Sequence, residues 1–194
     1  MSRYVYIFQK IRVKFLPLTK LLIMKRLIIL SIVLLTGFLS YSQKEASDSS
    51  VTNFYLIRHA EKDRSDTNNK NPHLTEMGVF RAEQWSEVLK NISFDMVYST
   101  NYFRTRETAQ PTALKNNLDI TLYDPKSIDM KSFLKENQGK NVLIVGHSNT
   151  TPSMVNAIIG SNKYKDIEDD NNSNLYIITI SNNSVSDKVL YINN

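Results

Sequence analysis

The stretch FYLIRHAEK, residues 54–62, decides the fold class of this chain. It begins with an apolar run typical of a buried β-strand and then places Arg58 and His59 side by side, where a buried strand has no use for them. Polar side chains that directly follow an apolar strand are typical of α/β proteins, in which the strand ends carry the site. We therefore expect other residues that follow strands to lie near Arg58 and His59.

Strand-like and helix-like segments alternate along the chain after residue 50. The residue patterns predict helices over 76–90, with Thr75 as N-cap, over 104–116, over 128–136, and from a Thr151 cap onward. Pro111 is expected either to kink the second of these helices or to split off its first turn. They predict strands over 51–58, 94–99, 120–123, 141–145, 175–180 and 189–192. This alternation predicts an α/β fold, a three-layer α/β/α sandwich with a mostly parallel central sheet.

The first 42 residues have the pattern of a targeting segment. Met24, Lys25 and Arg26 precede an apolar run over 27–39, and small residues follow at 40–42. This pattern predicts a secretory signal peptide with translation from Met24 favoured, and the run is shorter than the roughly 20 residues that span a bilayer. We expect residues 1–42 to be an N-terminal extension and signal, 43–50 a flexible lead-in, and 51–194 one exported domain, periplasmic or secreted, without membrane attachment after cleavage.

Charge and cysteine content exclude several classes of function. Seven of the 24 basic residues lie in residues 1–42, which contain no acidic residue, so the remainder carries 17 basic and 19 acidic residues. A net charge of −2 on the mature chain gives no support to nucleic-acid binding. The chain has no cysteine, which excludes disulfides and thiolate catalysis. The sequence carries no signal for an oligomeric state.

Two histidines and two arginines follow predicted strands. His59 follows Arg58, His147 follows Gly146 after the apolar strand 141–145, and Arg104 comes soon after strand 94–99. Guanidinium groups match phosphate oxygens, and a neutral imidazole can act as a nucleophile toward phosphorus. The set therefore predicts a site for a small phosphorylated substrate. No metal and no cofactor are needed if the arginines supply the positive charge, and His, Asp and Glu do not occur at metal-ligand spacing.

At these residues the sequence resembles the histidine phosphatase superfamily, which includes the phosphoglycerate mutases. The family's opening Arg-His-Gly-Glu motif is similar to Arg58-His59-Ala60-Glu61. Its middle motif is similar to Ser99 followed by residues 104–109 (RTRETA), and its late Gly-His motif is similar to Gly146-His147. Each motif alone is moderately specific, but the three occur in the family's order and each follows a predicted strand.

The resemblance implies a role for each of these residues. His59 would be the nucleophile that becomes phosphorylated, Arg58 and Arg104 would bind the phosphoryl oxygens, and His147 would bind them from the opposite side and stabilise the transition state. The acid that protonates the leaving oxygen would be Asp124, directly after strand 120–123, with Asp129 as second candidate, or the enzyme would work without one. Arg106 matches no family position, and Ala60 replaces a glycine, which requires negative φ there.

The sequence thus predicts an exported, metal-independent phosphatase that hydrolyses phosphomonoesters through a phosphohistidine on His59. Two alternatives remain. Because the acid is not fixed and Ala60 departs from the motif, the domain could bind phosphorylated ligands without turnover. Its size is also close to that of a small phosphohistidine-type protein phosphatase. The physiological substrate is not determined by the sequence.

Overall fold

The computed structural model describes residues 19–20, 22–32, 51–182 and 184–192 of the 194-residue chain. The chain divides into two units, Met1–Asp48 and Ser49–Asn194. In the first unit the described residues are helical. The rest of the predicted signal segment, including residues 33–42, and the predicted lead-in over 43–50 lie outside the described residues. No helix in the described ranges has both the length and the apolar character needed to cross a membrane.

The second unit contains a six-stranded sheet with the order β3-β2-β4-β1-β5-β6. Strands β1 to β4 pair in parallel, whereas β5 pairs antiparallel with β1, and β6 with β5. The strand bounds are β1 Thr52–Arg58, β2 Met96–Ser99, β3 Ile120–Leu122, β4 Asn141–Gly146, β5 Asn174–Ser181 and β6 Ser184–Tyr191. The prediction of a mostly parallel sheet is confirmed, and the last strand is longer than the predicted 189–192.

Helices cover both faces of this sheet, because alternate strand residues point to opposite sides and the buried strands are apolar on both. One face packs Phe54, Leu56 and Ile144 against α3 (Met130–Glu136) and α4 (Thr150–Ile159). The other face packs Ile57, Leu143 and their neighbours against α1 (Glu76–Val88) and α2 (Phe103–Lys115). The predicted three-layer α/β/α sandwich is confirmed.

The predicted N-cap is correct for α1 and wrong for α4. Thr75 caps α1 as predicted, because its side chain accepts a hydrogen bond from the backbone N–H of Gly78. The prediction of Thr151 as the cap of α4 is wrong: Asn149 is the N-cap, its side chain accepts from the N–H of Thr150, and the helix begins two residues earlier than a cap at Thr151 implies. The helix α2 runs through Pro111 as one helix, so the expectation that Pro111 splits off its first turn is wrong.

The register of the parallel strands brings their carboxyl ends together. Arg58 at the end of β1 lies opposite Gly146 at the end of β4, and Ser99 at the end of β2 lies opposite Val145. The pairing continues past the strand, because the N–H of His59 donates to the carbonyl oxygen of Gly146 at 2.9 Å. The residues that follow these three strands therefore meet at one edge of the sheet, as the fold predicts.

Candidate active site

The side chains predicted to form the site line one cavity of about 740 Å³ at this edge. Arg58, His59, Arg104, Asp124 and His147 are all among its lining residues. The imidazole rings of His59 and His147 lie with their centroids 5.5 Å apart and their planes inclined by 68°. Two imidazoles at this separation can contact the same small tetrahedral anion from different sides.

His59 is buried and held in one tautomer by the main chain. Its Nδ1 lies 2.7 Å from the carbonyl oxygen of Ala60. Because a carbonyl oxygen can only accept, Nδ1 carries the proton and Nε2 keeps its lone pair in the neutral ring. The backbone is fixed as well, since the carbonyl oxygen of His59 accepts from the side-chain amide of Asn172 at 2.7 Å. The arrangement leaves a nucleophilic nitrogen available on a rigid ring.

Arg58 is buried, with 3% of its side chain exposed. Its Nη1 donates to the carbonyl oxygens of Glu168, Asp169 and Asn171 at 2.7, 3.1 and 3.1 Å. Its Nη2 donates to the carboxylate of Asp169 at 2.9 Å, while its buried Nε has no hydrogen-bond partner in the described part of the chain. Arg58 thus brings a buried cation to the cavity.

The Nε2 nitrogen of His147 is held by a chain of hydroxyl groups. Its Nε2 lies 2.9 Å from the hydroxyl of Thr100, and that hydroxyl lies 3.0 Å from the hydroxyl of Thr105. The Thr105 hydroxyl in turn donates toward the carbonyl oxygen of Thr100 at 2.9 Å. Since a hydroxyl can both donate and accept, Thr100 supports His147 in its neutral and in its protonated form.

Arg104 lies at the mouth of the cavity and is partly buried. Its guanidinium carbon is 4.4 Å from the centroid of the Tyr102 ring, and the same ring lies with its edge toward His147 at 5.0 Å between centroids. The Nε of Arg104 is buried and has no hydrogen-bond partner among the described residues. Arg104 and Arg58 thus both line the cavity, while Arg106, whose buried Nε also has no partner among the described residues, stacks over Phe103 at 5.2 Å and does not line it.

The two candidate acids differ in position. Asp124 lines the cavity, and its Oδ1 accepts from the N–H of Lys126 at 2.9 Å in a turn. Asp129 is the N-cap of α3, where it accepts from the N–H of Lys131 and the hydroxyl of Ser132, and it is not among the lining residues. The geometry favours Asp124 over Asp129 as the acid, and Asp129 has a structural role.

Burial and nearby cations keep both imidazoles neutral. Burial is the main cause that lowers the pKa of His59 to about 3, with a further contribution from Arg58, although the hydrogen bond to Ala60 acts in the opposite direction. Burial, followed by the charge of Arg104, lowers the pKa of His147 to about 4. A neutral His59 at pH 7 is the form that can attack phosphorus, so the electrostatics agree with the tautomer that the geometry selects.

Ala60 fits the position where the family motif has glycine. Among the described non-glycine residues, only Asn117 and Asn182 have positive φ, so Ala60 meets the requirement for negative φ. Its side chain is fully buried, and its N–H donates to the hydroxyl of Thr108 at 2.9 Å. Glu61, the last residue of the motif, forms an ion pair with the Nε of Arg81 at 2.7 Å.

Several contributors to the site were missed from the sequence. Three backbone carbonyls of the segment 168–171 bind Arg58, and the side-chain amide of Asn172 binds the carbonyl of His59. These groups come from a polar loop whose sequence gives no local signal of contact with residues at least 110 positions earlier. Lys62 also lines the cavity, as does Asp169. Thr100 could have been found, because it directly follows strand β2 at the end that carries the site. His73, the third histidine of the chain, is exposed, pairs with Glu107 and stacks on Phe103.

The fold is that of the phosphoglycerate mutase-like class of α/β proteins. A model of the Histidine phosphatase superfamily (branch 1) matches residues 54–125, a range that includes Arg58, His59 and Arg104. The resemblance to this superfamily drawn from the sequence motifs is thereby confirmed. No protein with a curated description matches the sequence.

Solved structures of this class share the fold at low sequence identity. A phosphoglycerate mutase from Bacillus anthracis has a TM-score of 0.57 at 17% identity, covering 75% of this chain and 95% of its own. A phosphoserine phosphatase mutant from Entamoeba histolytica has 0.56 at 14%, covering 71% and 95%. The protein histidine phosphatase SixA in complex with tungstate has 0.57 at 12%, covering 72% and 96%. At such identities the likeness concerns the fold alone.

Proposed function

We propose that this protein is an exported, metal-independent phosphatase that hydrolyses phosphomonoesters through a phosphohistidine intermediate on His59. The observation that carries the proposal is a neutral His59, held through Nδ1 with Nε2 unprotonated, in a cavity that the guanidinium groups of Arg58 and Arg104 also line. A tetrahedral anion would pair with these guanidinium groups and present its phosphorus to the imidazole.

The reaction has two displacements in this proposal. In the first, Nε2 of His59 forms a bond to phosphorus while the bond from phosphorus to the leaving oxygen breaks, and Asp124 gives its proton to that oxygen. In the second, Asp124 takes a proton from a water molecule, whose oxygen attacks phosphorus while the N–P bond breaks and phosphate leaves. Arg58 and Arg104 bind the phosphoryl oxygens in both steps, and their charge stabilises the transferring group.

His147 completes the binding of the phosphoryl group. A bound dianion favours the protonated form of an adjacent imidazole, so His147 would bind the substrate as a cation. In that form its Nε2 donates to the hydroxyl of Thr100, and its Nδ1 is left to donate to a phosphoryl oxygen. Thr100 acts here as a positioning residue for His147.

The test is turnover of p-nitrophenyl phosphate by the purified protein in excess chelator. We expect hydrolysis by the native protein and its loss in His59→Ala, with a phosphoenzyme of the acid-labile kind in the native protein only. His73→Ala is the matched control, because it removes an exposed imidazole outside the cavity and should leave turnover unchanged. Full activity of His59→Ala would refute the mechanism.

A domain that binds phosphorylated ligands without turnover is the second candidate. The observation that favours it is the turn contact of Asp124 with Lys126, which is also what a purely structural aspartate would make. Such a domain would bind phosphate and give neither product nor a phosphoenzyme. Labelling of His59 by a phosphoryl donor would eliminate this candidate.

The substrate could also be a phosphohistidine protein, as the name of SixA describes for that neighbour. The two substrate classes are separated by comparing hydrolysis of a phosphohistidine peptide with that of small phosphomonoesters.

We further propose export, on the basis of the residue pattern over 24–42. Protein recovered from the periplasm or the medium should begin after residue 42, and an intact N-terminus there would contradict cleavage.

A further inference from the structure

Asp169 places a carboxylate in the cavity that we propose binds a phosphoryl dianion. Its Oδ1 accepts from Nη2 of Arg58 at 2.9 Å, and its two oxygens accept from Nη2 and Nη1 of Arg64 at 2.9 and 2.8 Å. The carboxylate itself is 73% exposed, and Asp169 lines the cavity together with His59 and His147. An anion of the protein therefore occupies a donor of the arginine that the substrate would use.

Arg58 does not depend on this carboxylate for its position. Its Nη1 is held by three backbone carbonyls of the segment 168–171, and the side chain is buried. These contacts are made by main-chain atoms and persist when a side chain of the segment is replaced. The carboxylate of Asp169 thus adds negative charge and competition at Nη2 without being required to hold the guanidinium.

We propose that Asp169 is an internal anion that competes with the substrate phosphoryl group for Nη2 of Arg58 and lowers the affinity of the site for phosphate. This inference rests on the proposed function, because it takes the cavity as the phosphoryl site. Weak retention of inorganic phosphate would follow, so that the product leaves a site whose cationic lining consists of Lys62, Lys126 and two arginines.

The test is the dissociation constant for inorganic phosphate, measured by calorimetry on the whole protein. Asp169→Asn keeps the shape and the acceptor oxygen of the side chain and removes its charge. We expect it to bind phosphate roughly threefold to tenfold more tightly than the native protein, the lower part of this range reflecting solvent screening at an exposed carboxylate. The gain should shrink at high salt.

Asp170→Asn is the matched control, since it removes the same charge from the next residue, which is exposed and does not line the cavity. We expect its phosphate affinity to stay within about twofold of the native value, as for an exposed charge outside the site. Equal affinities of the two variants, or weaker binding by Asp169→Asn, would overturn the inference.

The same titrations separate this inference from the proposed function. Arg58→Ala should abolish phosphate binding if the cavity is the phosphoryl site. If Arg58→Ala binds no phosphate and Asp169→Asn binds it no better than the native protein, the competition by Asp169 is refuted and the function stands. If the native protein and all variants fail to bind millimolar phosphate, the proposed function fails and takes the inference with it.

Discussion

The substitution Gly78→Ala tests whether the start of α1 packs on the backbone of Glu61, just after the end of β1, as closely as the structure indicates. A Cβ added at Gly78 would lie 2.1 Å from the carbonyl oxygen of Glu61 and 3.0 Å from its carbonyl carbon. These are backbone atoms, so no side-chain rotation can relieve the contact. The same carbonyl oxygen accepts from the N–H of Thr75 at 2.9 Å, which ties the helix start to this strand end.

Two effects of opposite sign determine the expected stability of Gly78→Ala. Alanine in a helix is favoured over glycine by about 1 kcal/mol, whereas overpacking against rigid atoms costs about 3 kcal/mol or more. We expect a net loss of roughly 2–4 kcal/mol in the free energy of unfolding. At about 2–4 °C per kcal/mol for a domain of this size, Tm should fall by roughly 5–15 °C.

The assay is urea and thermal unfolding followed by circular dichroism. Val79→Ala serves as control, because it changes an exposed residue of the same helical turn and should alter the free energy of unfolding by no more than about 0.5 kcal/mol. A Gly78→Ala protein that equals or exceeds the native stability would show that helix propensity dominates. The reasoning on close packing at Glu61 would then be wrong.

Two further predictions concern the titratable groups of the site. Because the folded pKa values of His59 and His147 lie at about 3 and 4 while unfolded histidine titrates near 6.5, the unfolded state binds more protons between these values. The free energy of unfolding should therefore fall as pH is lowered below about 6.5, by at most about 1.4 kcal/mol per pH unit for each imidazole. Urea titrations of the double variant His59→Ala/His147→Ala should show a flatter dependence of this free energy on pH. An equal slope in the native protein and the variant would contradict the assigned pKa shifts. Asp124→Asn should reduce turnover of alkyl phosphates about 100-fold and of aryl phosphates far less, because only the alkoxide, a poor leaving group, needs a proton. Asp129→Ala, by contrast, should lower the free energy of unfolding by about 1 kcal/mol and leave turnover unchanged. Steady-state kinetics measure the turnover, and urea unfolding measures the stability. Equal losses of turnover on alkyl and aryl phosphates in Asp124→Asn would argue against Asp124 as the acid.

Local patterns were sufficient to predict the elements that carry the motifs. Strand β1 was predicted at 51–58 and observed at Thr52–Arg58, because its apolar residues are buried on both faces of a parallel sheet. The start of α4 was misjudged, since Thr151 and Asn149 are both good caps and the hydrogen bond that decides between them depends on the turn after His147. Pro111 lies inside α2, where tertiary packing overrides its tendency to break a helix.

The sequence by itself determined the class of fold, the three motif positions and the order in which they follow strands, because hydrophobic periodicity and strand-end residues are local properties. The tertiary structure alone decided which hydrogen-bond partners the side chains of the site have. Arg58 is clamped by carbonyls of 168–171, His147 is supported by Thr100, and Asp169 competes at the guanidinium. These hydrogen bonds join residues 47 to 113 positions apart, and their partners are backbone carbonyls and common polar side chains whose proximity depends on loop paths that no local pattern encodes.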